Sequence, residues 1–436
     1  MTVVAGPARD QPLHDLERLI EERAQGERRD QLLTLARALL RRSPEARLQT
    51  IGPKRLYEAV CDLLAFVAQR REPLAVRVVD APTGTSALQV NLPDAPFIVE
   101  TVREAVAAQG HSVILLLHPV LGVERDSGGR LVRFGDPRTS PARESVMNFA
   151  LDALLEPEEA AALTEVTRLA LSDLQLSVAD HSAMIETAHR ATDAARAAAT
   201  RYSEDEVDEA VSFLEWLTDG HFIFLGVRDY AILEGEGEEG QSIVAVAGSG
   251  LGILRDDTRT TFQSPVPLAD LPPALRDQLS GGDLVIISKT NRSSVVKRRV
   301  RMDDIAIRKV DAQGRIVGQI RMLGLFTSLV YMQQAARTPI LRRKLRRILH
   351  AEDLMAGSHD YKAAVAIFES FPRDELFQAS ADELRARVTA VLEVEYSKQV
   401  KVSVRIDPAG RNVSVLVAMA RDRFNAALRR RLQALL

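Results

Sequence analysis

Cysteine is nearly missing from this 436-residue chain: the one present, Cys61, cannot form an internal disulfide framework, and nothing points to an oxidising compartment. It reads as a small buried hydrophobe, not a reactive thiol. No apolar run approaches the length of a membrane span, and the opening "MTVVAGPARDQPLHDLERL" lacks the basic and apolar regions of a signal peptide. A cytoplasmic protein with no membrane partner is expected. An excess of charge of one sign is also absent. The formal net charge is −3, too balanced for a nucleic-acid or membrane surface as the main partner. The eight histidines do not cluster at metal-ligand spacing, and none stands out beside a serine or cysteine nucleophile. No metal ligand or catalytic residue is therefore assigned.

What is present is ordinary globular composition, 46% apolar and 27% charged, in a chain long enough for two to four domains. Residues 1–72 read as helices: Leu13, Leu16 and Ile20 share a face, as do Leu32, Leu35 and Leu39, and "KRLYEAVCDLLAFVAQRR" carries a third stripe. From 73 to 200 the order changes. "LAVRVVDAP" and "SALQVNL" read as strands, then Asp94 and Pro96 introduce a helix ending at Gly110. "HSVILLLHPVLGVERD" suits one strand buried on both faces, "RLVRF" is its hairpin partner, and "ESVMNFALDAL" is a further strand. A continuous alanine-rich helical stretch from Glu158 to about Ala199 closes the unit.

Residues 201–335 repeat a helix-then-strand pattern. Ser203, with Glu206 three residues on, forms a capping box for "SEDEVDEAVSFLEWL". "GHFIFLGVRDYAIL" and "QSIVAVA" are strands. "DLVIISKT", "SVVKRRV", "DDIAIRKVD" and "RIVGQIRMLGLFT" are four more strand-like runs. Residues 336–379 are helical. Residues 380–436 supply a hairpin, "KVSVRID" and "NVSVLVAMA", and a closing helix whose Phe424, Leu428, Leu432 and Leu435 can cover one side of it. Sheets with helices on one face make the fold class α+β.

Two glycine-rich segments imitate phosphate-binding loops. Gly235, Gly237 and Gly240 have the G-x-G-x-x-G spelling, but Glu236, Glu238 and Glu239 between them repel phosphate, and a strand follows instead of a helix. A hairpin loop is expected. Gly248, Gly250 and Gly252 of "GSGLGILRDD" also lack a following helix. Two basic runs could hold anions: Arg342, Arg343, Lys344, Arg346 and Arg347 on a helix, and Lys297, Arg298, Arg299 and Arg301 in a strand. Neither has interleaved aromatics for stacking on bases, and solvated faces account for both.

"LEWLTDGHFIFLGVRDY" (214–230) resembles a hallmark of the large bacterial NAD-specific glutamate dehydrogenases. "GSGLGILR", "KTNRSSVVKRRVRMDDIAIRKVDAQGRIVGQIRMLGLFTS" and "GSHDYKAAVAIFESFPRDELFQ" are similar to later segments of that family, in the family's order. "DAPFIVETV", "HPV", "RDSGG" and "ESVMNFALD" fit upstream, and "RNVSVLVAMARDRFN" resembles the start of a third module. Ala95 and Ala420 stand where the family usually has Met and Pro.

The resemblance implies tandem ferredoxin-like, ACT-type βαββαβ sandwiches joined by helical segments: ACT-like domains at 73–200 and 201–335, a helical connector at 336–379, and a truncated third module at 380–436. It implies a non-catalytic regulatory and oligomerisation segment without a cofactor of its own. NAD and the catalytic residues would belong to a downstream domain of the same polypeptide. A homo-oligomer and an amino-acid effector are the implied partners. The effector site is expected at the first strand-to-helix junction, Asp94, Ala95, Pro96 and Phe97, where unpaired helix N–H groups suit a carboxylate. The simpler reading is that Asp94 caps the helix and occupies those donors. A free-standing ACT-repeat amino-acid sensor and a nucleic-acid or anion-binding protein are the alternatives.

Overall fold

The computed structural model describes residues 11–41, 45–81, 83–235, 240–397, 399–406 and 413–435. They fall into two compact units, one of residues 1–178 with 295–299, the other of residues 179–294 with 300–436.

The first unit opens with four helices, α1 (Gln11–Arg23), α2 (Gly26–Leu40), α3 (Glu45–Ile51) and α4 (Pro53–Ala68). Leu16, Ile20, Leu32, Leu35, Val60 and Leu64 bring their stripes together over Leu121, Val123, Leu131 and Val146 of the sheet. Cys61 is half-buried beside them. The sheet has strands β1 (Ala75–Asp80), β2 (Ser86–Pro93), β3 (Val113–Leu117), β4 (Val120–Arg125), β5 (Leu131–Gly135) and β6 (Arg143–Leu151). Its order is β1-β2-β6-β4-β5, and β3 also pairs with β6. Helix α5 (Ile98–Ala108) crosses from β2 to β3, and β6 lies between them, antiparallel to both. This split β-α-β is the core of a ferredoxin-like sheet. Helix α6 (Pro157–Ala179) follows β6.

Two sequence expectations change here. The apolar run 112–125 is two strands, broken at His118-Pro119, because proline has no N–H to give the ladder. Its first half is not buried on both faces, and Ile114 is 41% exposed. The alanine-rich stretch is also two helices: it breaks at Asp180, and α7 (His181–Ala197) begins after it.

The second unit starts with α7 and with α8 (Glu204–Trp216). Its strands are β7 (Phe222–Glu234), β8 (Gln241–Ala245), β9 (Leu251–Gly252), β10 (Val266–Pro267), β11 (Val285–Ser293), β12 (Arg301–Val310) and β13 (Ile316–Phe326), with α9 (Pro273–Ser280) before β11. The sheet order is β10-β8-β7-β13-β12-β11, with β9 also on β7. Here α7 and α8 precede the first strand, and hairpins join β7 to β8 and β11 to β12 to β13. Two layers thus form by a connectivity other than βαββαβ. The run "SVVKRRV" is the turn between β11 and β12, where Lys297 takes a left-handed φ of 66°.

Small residues Ala188, Ala191 and Ala195 let α7 lie close on the sheet, against Phe224, Ile305, Ile320 and Met322. Trp216 stacks on His221 at 4.4 Å, and Phe326 stacks on Phe377 at 4.7 Å. Helices α10 (Ser328–Met332), α11 (Leu341–Ala351), α12 (His359–Ser370), α13 (Arg373–Gln378) and α14 (Ala381–Ser397) follow, then the hairpin β14 (Lys401–Ile406) and β15 (Val413–Ala418), and α15 (Ala426–Leu435). Arg405 of β14 and Arg387 of α14 converge on Glu375 at 2.8 and 2.6 Å, fixing one face of the hairpin to the helices. The other face is open: Val402, Val404, Ile406 and Val413 are each about 60% exposed. Helix α15 buries no residue, so the expected cover of the hairpin by α15 is corrected. A ten-residue helix with no core to dock on gains little from its apolar stripe.

Candidate functional site

The site begins where β2 ends. Asp94 donates its N–H to the Arg143 carbonyl at 3.0 Å, which continues the β2–β6 ladder. The chain then turns through Ala95 and Pro96, and Phe97, at φ 68°, starts α5 without any side-chain cap. Asp94 therefore does not cap the helix, which corrects the simpler reading. Its carboxylate Oδ1 accepts instead from the Ser145 hydroxyl at 2.8 Å. The reason is β6 register: Ser145 pairs with Leu92, so its side chain stands beside the exit of β2.

His118 completes this group, with Nε2 3.0 Å from the same Ser145 oxygen. The hydroxyl has one proton and gives it to Asp94, so Nε2–H of the imidazole is the donor to the serine oxygen. Burial pulls the His118 pKa down, and the Asp94 charge only partly offsets it. Nucleophilic catalysis needs the base to accept the serine proton. Here the serine donates to the carboxylate and is fully buried, so the trio acts as a fastener between β2, β6 and the β3–β4 break.

Next to it lies a buried ionic group that sequence spacing did not mark. Glu144 accepts from Arg125 Nε and Nη2 at 2.8 and 2.7 Å, from Asn91 Nδ2 at 3.0 Å, and from Arg70. Burial pushes Glu144 up, but the Arg125 hydrogen bond, the Arg70 charge and the Asn91 amide together hold it below the ordinary carboxylate range.

Part of one basic run joins this unit. Lys297 donates its N–H to Thr101 Oγ1 at 3.0 Å, and its ammonium sits 4.6 Å over the Phe97 ring. Burial and the neighbouring Arg298 keep its pKa below the usual lysine value. The α5 N-terminus is thus flanked by a cation, an apolar ring and, at Asp94, a carboxylate. That combination can pair with a small zwitterion: the ammonium and helix N–H groups suit a carboxylate, and Asp94 suits an amine.

The other motifs resolve structurally. Around the first glycine set, Gly235 donates to the Gly240 carbonyl and Glu234 pairs with Gln241, as a hairpin requires. Gly237 and the glutamates lie outside the described residues. In the second set a Cβ at Gly250 would meet the Leu254 oxygen at 2.2 Å, and one at Gly252 the Leu225 oxygen at 2.1 Å. The loop does hold an anion, but an internal one: Asp180 accepts the Gly252 N–H at 2.8 Å and the Arg255 guanidinium.

Much of the basic helix face is engaged by ion pairs and hydrogen bonds inside its unit, while Arg346 and Arg347 are exposed, as a solvated face requires. Arg342 binds Glu209 at 2.8 Å, Arg343 binds Asp205 and Glu206, and Arg346 binds Asp205. Lys344 donates to the carbonyls of Leu376, Phe377 and Ala379 at 2.7–2.9 Å. Glu206 also accepts the Leu284 N–H, so only the Ser203 half of the capping box forms. Among the described residues no three His, Cys, Asp or Glu side chains converge to hold a metal, and no helix is long and apolar enough to cross a membrane.

Comparison with known proteins bears on all of this. Residues 35–167 match the family model of the glutamate dehydrogenase ACT1 domain, residues 338–396 that of glutamate dehydrogenase helical motif 1, and residues 401–436 that of the glutamate dehydrogenase ACT2 domain. Among curated relatives, the NAD-specific glutamate dehydrogenase of Halomonas elongata is 32% identical over 79% of this chain and 21% of its own length. That of Pseudomonas aeruginosa is 29% identical over 80% of this chain and 22% of its own, and that of Mycobacterium tuberculosis 26% over 83% and 21%. The chain thus spans about a fifth of the length of the curated relatives it matches. Three domain models of one family follow one another along an α+β chain whose first sheet has a ferredoxin-like core, and the chain belongs to the NAD-specific glutamate dehydrogenase family as a segment carrying its ACT1 domain and helical motif 1 and matching its ACT2 domain.

Proposed function

We propose that this chain is a non-catalytic regulatory and oligomerisation segment of a cytoplasmic NAD-dependent glutamate dehydrogenase. The reaction it serves is L-glutamate, NAD and water to 2-oxoglutarate, ammonia and NADH, carried out by a catalytic domain elsewhere in the same polypeptide. The segment senses a small amino acid at the Asp94–Phe97 junction. The observation that carries this reading is the release of the α5 N-terminus from Asp94: the carboxylate is drawn to Ser145, and no side chain caps the helix. Helix N–H groups left this way favour an incoming carboxylate by roughly 0.3–1 kcal/mol at an exposed site, before Lys297 adds its charge.

Calorimetric titration of the purified chain with a panel of amino acids tests the site. Binding is expected for one or a few of them, and weakened by both Asp94→Ala and Ser145→Ala. Absence of binding across the panel, or binding indifferent to both substitutions, rejects it. The non-catalytic role has its own test. Glutamate-dependent NADH production by the purified chain, above that of a tag-only control, would overturn it.

A further inference from the structure

A cleft in the second unit, well apart in sequence from the Asp94 junction, has the chemistry of an anion site. It lies between the loop after β9 and the strands β11, β12 and β13, with a volume of about 310 Å³. That is at the lower end of the roughly 300–1,000 Å³ range of ligand pockets. Leu254, Met302 and Leu323 line it with apolar surface. The rest of its wall is threonine hydroxyl, Tyr230, Asn291 and three guanidinium groups, Arg259, Arg292 and Arg321, and no carboxylate lines it. The larger cavity beside Lys344, about 420 Å³, differs in having Glu206, Asp277, Asp283 and Glu383 in its walls.

Two details leave hydrogen-bond donors in its wall. Thr261 Oγ1 accepts from Arg321 Nη1 at 3.3 Å, and Thr260 Oγ1 accepts from Arg228 Nη1. A hydroxyl that accepts from a guanidinium keeps its own proton to give, and among the described residues neither threonine hydroxyl donates to another group. The guanidiniums are aimed from behind. Buried Asp304 grips Arg321 through Nε at 3.1 Å and through Nη2, and Asp256 lies 3.5 Å from Arg259. Arg292 at the rim is exposed and makes no ion pair among the described residues. Planar guanidinium forks with neighbouring hydroxyl donors match the oxygens of phosphate and carboxylate groups.

We propose that this cleft binds a small oxyanion-bearing metabolite, phosphate or polycarboxylate, with Arg292, Arg321, Thr260 and Thr261 as its donors. The size admits a small phosphorylated or di-acid molecule. The site is independent of the Asp94 junction.

The test is calorimetry of the whole chain at low ionic strength with two probes, inorganic pyrophosphate and malonate. Saturable binding of at least one is expected, falling as salt is raised. Tighter binding of pyrophosphate assigns a phosphate ligand, and tighter binding of malonate assigns a carboxylate. Arg292→Glu and Thr261→Val, both at exposed positions, should each weaken it by about tenfold, the loss of one charge-assisted hydrogen bond. Arg347→Glu, an exposed charge at the other cavity, should leave it unchanged. The proposal is overturned if neither probe binds at millimolar concentration, or if Arg347→Glu weakens binding as much as Arg292→Glu does. Unaltered circular dichroism of the variants keeps loss of binding separate from loss of fold.

Discussion

Replacing Glu144 by glutamine keeps the side chain's shape and removes its charge. In the native first unit the carboxylate is 4% exposed and accepts from Arg70, from Arg125 twice and from Asn91. Glutamine has one acceptor oxygen and turns an NH₂ group toward a guanidinium. Removing one partner of a buried ion pair costs about 3–5 kcal/mol, because the remaining charge stays desolvated and unmatched. For a unit of this size each kcal/mol lowers the melting temperature by roughly 2–4 °C, so a fall of about 10 °C is expected for the first unit's transition. The pH dependence carries a second signature. Since the folded carboxylate titrates below its unfolded value, its contribution is fully present above the unfolded pKa of about 4.3. It is lost as pH falls through the folded value. Acid destabilisation of the first unit should therefore be shallower in Glu144→Gln. Scanning calorimetry between neutral and acid pH, with hydrogen exchange of β2 and β6 amides, measures both. A melting temperature within about 2 °C of wild type, with unchanged exchange in β6, would refute the assigned role.

Gly250→Ala should cost about 1–3 kcal/mol in chemical denaturation of the second unit, because its Cβ meets the Leu254 carbonyl; a neutral result would show that the loop can relax. Burial pulls Lys344 down to about 8, so from there to about 10.4 the unfolded chain holds the proton that the folded chain has released. Wild-type stability should therefore gain on Lys344→Met as pH rises from 8 to 10, and a constant difference would contradict the burial. Val404→Lys on the open face of the β14–β15 hairpin should change stability by under about 0.5 kcal/mol, as measured by urea denaturation. Amides of β14 and β15 should exchange faster than those of Val113–Leu117, since a two-stranded hairpin with one bare face is marginal. Equal protection in a dilute monomeric sample would count against that.

Much of the fold was legible because it rests on local patterns. The stripes Leu16–Ile20 and Leu32–Leu39 needed only a 3.6-residue period to be read as helices facing a core, and they do. Ser203 was readable as a cap, and the strand that follows the first glycine set was readable as a hairpin return, which the β7–β8 pairing is. The α+β class followed from the order of strands and helices alone. Three things were set by tertiary structure. Asp94 looked like a cap because a cap is the nearest use of a carboxylate before a helix. Strand register placed the Ser145 hydroxyl beside it from 51 residues away, and that contact won. The ion pairs of the basic helix face were not readable because their carboxylates, Asp205, Glu206 and Glu209, lie more than a hundred residues earlier. The threonine and arginine cleft had no signal at all, since its donors come from separate strands and a loop with no common spacing. Periodicity records which face of an element is buried; which charge meets which is decided by elements far apart in the chain, and only the assembled sheet brings them together.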